Sequence, residues 1–92
     1  MNNLTLRIIS PKGLEKEIEC DSVHLIMSDD SKGNGGGSIG IRAGFENAII
    51  ALGCGNIEAF DNSNRVFLKE ADGGFATVKD NKITVILNGV DS

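Results

Sequence analysis

The chain contains no tryptophan and no tyrosine, a single proline, a single histidine and two cysteines in 92 residues. Each scarcity excludes something. With Phe45, Phe60, Phe67 and Phe75 as the only aromatics, platforms for stacking nucleic-acid bases are few. One histidine, His24, cannot build a histidine-based metal site by itself. Cys20 and Cys54 form no C-x-x-C, and in a reducing compartment two such cysteines are expected to be small buried apolar residues. Lys and Arg are scattered with no basic run, and the net charge is −4. A compact acidic domain repels phosphate backbones and anionic lipid, so nucleic acid and membrane surfaces are excluded as main partners. The longest apolar run, Ala48-Ile49-Ile50-Ala51-Leu52, is far too short to cross a bilayer, and MNNLTLRIIS holds no signal-peptide core. Together these point to the cytoplasm.

What is present is an ordinary globular composition, 40% hydrophobic, and a length suited to one small domain, residues 1–92. Leu4–Ile9 alternates as a half-buried strand does. Ser10-Pro11-Lys12-Gly13 is a turn. Leu14–Cys20 is predicted as a polar edge strand with Ile18 inward, and Val23–Ser28 as a central strand. A polar, glycine-rich loop follows over 28–37, then a short strand, SIGIR, over 38–42. Asn47–Leu52 fits either a helical turn or a strand. Gly53-Cys54-Gly55 is a predicted turn or bulge and Asp72-Gly73-Gly74 a predicted turn. Between them lie a strand over 56–60, a four-residue hairpin loop over 61–64, and a return strand over 65–70. Phe75–Val78, a two-residue turn at Asp80-Asn81, and Ile83–Leu87 complete the chain. About nine or ten short strands with regular turn signals predict an all-β fold, a small antiparallel sandwich or flattened barrel.

Catalytic chemistry finds no support in the residues. No local signature joins Cys20 or Cys54 to His24 as a nucleophile and base. Asp29 and Asp30 lack the regular oxygen ligands of a calcium loop. The stretch SKGNGGGSIGIRAGF (31–45) resembles a phosphate cradle only in its glycines. Lys32 precedes them instead of following, and Ser38 opens a strand where a helix N-terminus would be needed. No catalytic residue, cofactor site or metal site is expected.

Two segments, GGSIGIRAGFENAIIALGCGNI (36–57) and GGFATVKDNKITVILNGVDS (73–92), preceded by LTLRIISPKG and IECDSVHLIM, resemble the N-terminal β-sandwich of the F-type ATP synthase epsilon subunit. The matching features run in the family's order: Ile39-Gly40-Ile41, Gly44, the apolar run at 48–52, Gly55, Gly73-Gly74-Phe75, Val78 and Ile83–Leu87. The family's Pro-Gly-His-Ala-Pro turn is replaced by Ala43-Gly44-Phe45-Glu46-Asn47. Ser38 stands where the family often has an acidic residue, and the 28–37 loop is longer.

The resemblance implies a non-catalytic rotor subunit that clamps the gamma subunit and rests on the membrane c-ring. It would be monomeric when isolated, and peripheral on the inner face of the cell membrane within the complex. It also implies a form without the family's two C-terminal helices and their inhibitory arm. Ser38, Arg42, Phe45 and Glu46 match the ring-facing end, with Phe45 either an anchor or a core filler. Ile49, Ile50, Leu52 and Asn56 match the family's gamma-facing region; alternation leaves part of the five-residue apolar run facing a partner, the alternative being that both sides are covered internally. Two alternatives remain: a stand-alone sandwich module for another protein, and a small-ligand or nucleotide binder working through the 32–38 loop.

Overall fold

The computed structural model describes residues 4–27 and 37–87. Seven strands form one sheet: β1 Leu4–Ser10, β2 Gly13–Cys20, β3 Ser22–Ile26, β4 Ser38–Arg42, β5 Ala48–Asp61, β6 Asn64–Lys79 and β7 Lys82–Leu87. Their spatial order is β2-β1-β7-β6-β5-β3-β4. Every pairing is antiparallel except that of β1 with β7, which is parallel. The all-β expectation therefore holds, with fewer strands than predicted and one parallel ladder. The predicted 28–37 loop falls, apart from Gly37, outside the described residues.

The difference in strand number has one cause. Gly53-Cys54-Gly55 and Asp72-Gly73-Gly74 are not turns. They face each other inside one long ladder, with Leu52 opposite Gly74, Cys54 opposite Asp72 and Gly55 opposite Ala71. Gly55, Gly73 and Gly74 have φ of 156°, 111° and 129°, values that side-chain-bearing residues rarely adopt. The two strands bend together there and keep their hydrogen-bonded register. The bend also exchanges the buried side. In β5 the buried positions are Ile50 and Leu52 before it and Ile57 and Ala59 after it, a change from even to odd numbers. In β6 they change from Ala71 and Gly73 to Ala76 and Val78.

The bend folds the sheet into two layers that share the β5–β6 hairpin. One layer is β2, β1, β7, the C-terminal part of β6 and the N-terminal part of β5. The other is the rest of that hairpin with β3 and β4. Buried residues from both layers make a single core, including Leu4, Leu6, Ile8, Ile83 and Val85 on one side and Val23, Leu25, Ile41, Ile57 and Ala59 on the other. The shortest dimension of the molecule, 23 Å, suits two packed layers, whose backbones lie about 10 Å apart. The Lys69–Glu15 ion pair, at 3.6 Å, links the layers at their rim.

The tight turns obey local chemistry. Asn62-Ser63 (φ 54° and 68°) and Asp80-Asn81 (φ 52° and 64°) both carry positive φ at their two central positions. That is the mirror-image turn whose twist suits a two-residue hairpin. The predicted two-residue turn at 80–81 is thus correct. The four-residue loop at 61–64 tightens to two residues, because Asp61 and Asn64 still pair. The Ser10 hydroxyl accepts the Lys12 N–H at 3.1 Å and closes the first turn. The ambiguous 47–52 piece opens β5 as a strand.

Candidate partner interface

The side chains that face out from the first layer follow from its register. Ala51 lies opposite Phe75, Phe75 opposite Ile86, Ile86 beside Ile9, and Ile9 opposite Leu14. Side chains of directly paired residues leave a sheet on the same face. These five positions therefore form one apolar row across β5, β6, β7, β1 and β2, roughly 19 Å long at the usual strand spacing. Phe75, Leu14 and Ile86 are 54%, 52% and 45% exposed, and Ile49, one pleat away on β5, is 77% exposed.

The next row on this face is Ile49, Thr77, Thr84, Arg7 and Glu17, and beyond it stand Lys79, Lys82, Thr5 and Glu19. Arg7 and Glu17 approach to 3.7 Å, while the Arg7 Nε is buried without a hydrogen-bond acceptor. The face thus grades from apolar, through threonine, to charged residues of both signs. A contiguous apolar patch of this kind on a small domain marks an interaction surface.

The sequence-predicted residues distribute as follows. Ile49 belongs to this face. Ile50 and Leu52 do not: at 8% and 5% exposed they are core residues, and their assignment to a partner contact is corrected. Strand alternation sends only Ile49 and Ala51 of the apolar run outward. Asn56 is exposed beyond the bend, on the outer side of the second layer opposite Glu70, and so is separate from Ile49. Phe75, Ile86, Ile9 and Leu14 were missed. The signal available for them was an apolar residue at an outward position of an alternating strand, such as Leu14 ahead of Glu15-Lys16-Glu17.

The four ring-end residues also divide. Arg42 ends β4, and Phe45 and Glu46 follow it in the next connection. Gly44 donates its N–H to the Asn81 Oδ1 at 2.8 Å, which pins this connection beside the β6–β7 turn. Arg42 and Glu46 are exposed. Phe45 is half-buried and packs on the core, so core filling accounts for it. Ser38 lies at the opposite end of β4, roughly 13 Å away along the strand, where it pairs with Ile26. It is therefore not at one end with the other three.

The remaining chemistry-bearing groups stand apart from one another. Cys20 is buried and Cys54 exposed, and neither forms a disulfide, so the burial expected of both applies only to Cys20. Burial pushes the Cys20 thiol up to about 11, helped by the nearby Asp21 and Asp61 carboxylates. The Glu15 carboxyl is held below its ordinary value chiefly by a hydrogen bond with Ser10, with Lys69 and Lys12 adding attraction. His24 is exposed and leans on Phe60, with ring centroids 5.0 Å apart. Among the described residues no cluster of three or more His, Cys, Asp or Glu side chains could hold a metal ion. Among them, too, no helix is long and apolar enough to cross a membrane.

Fold and surface together define a two-layered all-β domain with a continuous apolar row on the outer face of one layer. No family model matches the chain. Among solved structures, it is similar to a chain in the cryo-EM structure of the Tetrahymena thermophila mitochondrial ATP synthase central stalk and c-ring, with a TM-score of 0.69 at 12% identity. The match covers 96% of this chain and 65% of that one. At that identity the likeness establishes a shared fold, and the chain spans about two thirds of the length of its neighbour.

Proposed function

We propose that this chain is a non-catalytic rotor subunit of an F-type ATP synthase, of the epsilon kind. It joins the gamma subunit to the c-ring and transmits torque during proton- or sodium-driven ATP synthesis. The observation that carries the reading is the fold match over 96% of the chain to a component of an ATP synthase central stalk and c-ring structure. The ordered motifs at 39–55 and 73–87 independently resemble the epsilon sandwich.

The outer row of Ala51, Phe75, Ile86, Ile9 and Leu14, with Ile49 beside it, is the surface we assign to gamma. A flat apolar face rimmed by polar groups suits a stable protein contact. Arg42 and Glu46, beside the Gly44–Asn81 contact, are assigned to the c-ring end. The chain needs no cofactor or catalytic residue for this task, and works at the inner face of the cell membrane as part of the complex.

A second reading, a stand-alone sandwich module for a different protein, draws on one observation. The turn at 43–47 lacks both prolines and the histidine of the resembled family. Size-exclusion chromatography with the gamma subunit of the same organism separates the two. A stable one-to-one complex supports the rotor reading. Failure to co-elute at micromolar concentration overturns it in favour of the independent module.

A further inference from the structure

The sheet has two edges, and they are unequal. β2 carries Glu15, Lys16, Glu17 and Glu19, has a bulge where Ile8 and Ile9 pair with Lys16 and Leu14, and is tied by ion pairs to Arg7 and Lys69. Charges and a bulge are the usual devices that stop an edge from recruiting another strand. β4 has neither bulge nor inward charge. Its register with β3 runs straight from Ser22–Arg42 to Ile26–Ser38, and Arg42 is its single charged residue. Among the described residues its other side pairs with nothing.

Beside this edge lies an open pocket of about 390 Å³ lined by Asp21, Ser22, His24, Arg42, Phe60, Asn62 and Ser63. Ser22 sits between Arg42 and Phe60, and His24 between Gly40 and Glu58. The missing side chain at Gly40 is what admits the His24 ring, since a Cβ there would come within 3.2 Å of its Cδ2. Asp21 is engaged, accepting the Asn62 N–H at 2.9 Å, and Glu58 pairs with Arg65 at 3.0 Å. Arg42 has no ion pair among the described residues.

We infer that the β4 edge accepts an extended segment of a partner protein as an eighth strand, with a carboxylate of that segment seated at Arg42. An added strand alternates its side chains between the two faces, and its backbone supplies affinity while the side-chain positions supply specificity. Opposite Ile39 and Ile41 the segment requires apolar residues, because these turn toward the core side. Opposite Gly40 it has room for a large side chain against the edge of His24. Opposite Arg42 it carries Glu or Asp. The inference shares Arg42 with the end assigned to the c-ring, but it does not rest on the rotor reading, and its test on the isolated domain can fail or succeed independently of gamma co-elution.

The test is an NMR titration of the ¹⁵N-labelled protein with the blocked peptide acetyl-Thr-Glu-Val-Phe-Val-Thr-amide, designed to run antiparallel from Arg42 to Ser38. The expected result is chemical-shift change and slowed amide exchange over Ser38–Arg42, with β2 unaffected. Replacing the peptide Glu by Gln, or making Arg42→Ala, should each weaken binding about tenfold, and the two changes together should weaken it little further. The Met27 N–H donates to the Gly37 carbonyl at 2.9 Å, so in this register Ser38, Gly40 and Arg42 turn their N–H and C=O groups to the open edge. A peptide with Pro in place of Phe, opposite Gly40, should not bind, because it lacks the ladder donor needed there. No shift at about 2 mM peptide, equal shifts on β2, or undiminished binding of the Pro peptide would each overturn the inference. Protection of β4 that grows with protein concentration alone would overturn it in favour of a second copy of the chain.

Discussion

The outward sides of the two layers differ in kind. The first presents Ala51, Phe75, Ile86, Ile9 and Leu14 in one row. The corresponding side of the second presents Gly40, His24, Glu58 and Leu68 in one row, followed by Asn56 and Glu70. Both layers draw on the same β5–β6 hairpin, so strand propensity does not explain the contrast. Both inward sides are apolar and contribute to one buried core. The difference is one of continuity: the first layer exposes Leu14, Ile49, Phe75 and Ile86 on one apolar face, whereas the second exposes Val66 and Leu68 among polar and charged neighbours.

The bend is where this comparison can be broken most severely. A side chain at Gly74 would run into the main-chain carbonyl oxygen of Ile86, at a φ of 129°. Gly74→Ala should cost about 3 kcal/mol or more, combining a steric clash with backbone strain. Urea unfolding followed by circular dichroism measures it, and a loss under about 1 kcal/mol would show that the bend tolerates side chains.

Next in size are the cores of the two layers. Leu25 and Ile83 are both fully buried, one in each layer. Leu25→Ala and Ile83→Ala should each cost roughly 2–5 kcal/mol. Because the core is shared, both should move one cooperative transition. Two transitions, one sensitive to each substitution, would mean that the layers are energetically separate.

The third prediction concerns the seam, where Cys20 ends β2 next to Asp21. The folded thiol titrates at about 11 against an ordinary value of 9.0. Above pH 9 the unfolded chain gives up its thiol proton while the folded chain keeps it, so stability falls as pH rises. The loss should run between pH 9 and about 11 and, once discounted for solvent screening, reach about 1–2 kcal/mol. Comparing wild type with Cys20→Ala across this range isolates it, and parallel pH curves for the two would refute it. In the native protein Ellman's reagent should titrate Cys54 alone.

The smallest effect on stability carries the most information on function. Phe75→Ser and Leu68→Ser, one on each outer side, should each change folding stability by within about 0.5 kcal/mol. Under the rotor reading, Phe75→Ser should weaken gamma binding about tenfold or more, and Leu68→Ser should leave it unchanged. Calorimetric titration decides, and equal effects of the two would erase the distinction between the faces.

Much of the fold was legible because local patterns act locally. Alternation located β1, the charged run located the β2 edge with Ile18 inward, and Asp80-Asn81 announced its own turn. Glycine clusters were another matter. Gly53-Cys54-Gly55 signals a backbone freed from side chains, and that freedom serves a turn and a bend equally. Which one forms was decided by Asp72-Gly73-Gly74 lying opposite, a fact of long-range register. The interface was half legible for the same reason. The apolar run at 48–52 revealed that something must face outward, but Phe75, Ile86, Ile9 and Leu14 become neighbours only once the strand order is known. Ser38 was misplaced because proximity in sequence within a strand is distance in space.

The parallel pairing of β1 with β7 sets the order in which this protein can be made. Thr5 pairs with Lys82 and Ile9 with Ile86, so the first described strand waits for the last. During synthesis β1 and β2 can form a hairpin early, yet the apolar inner side of β1 has no neighbour on its other edge until β7 has left the ribosome. Closing so long a loop is slow, placing folding toward the roughly millisecond-to-second range of chains dominated by non-local pairs. A nascent chain stalled before residue 82 should thus expose Leu4, Leu6 and Ile8, and be the species that chaperones meet.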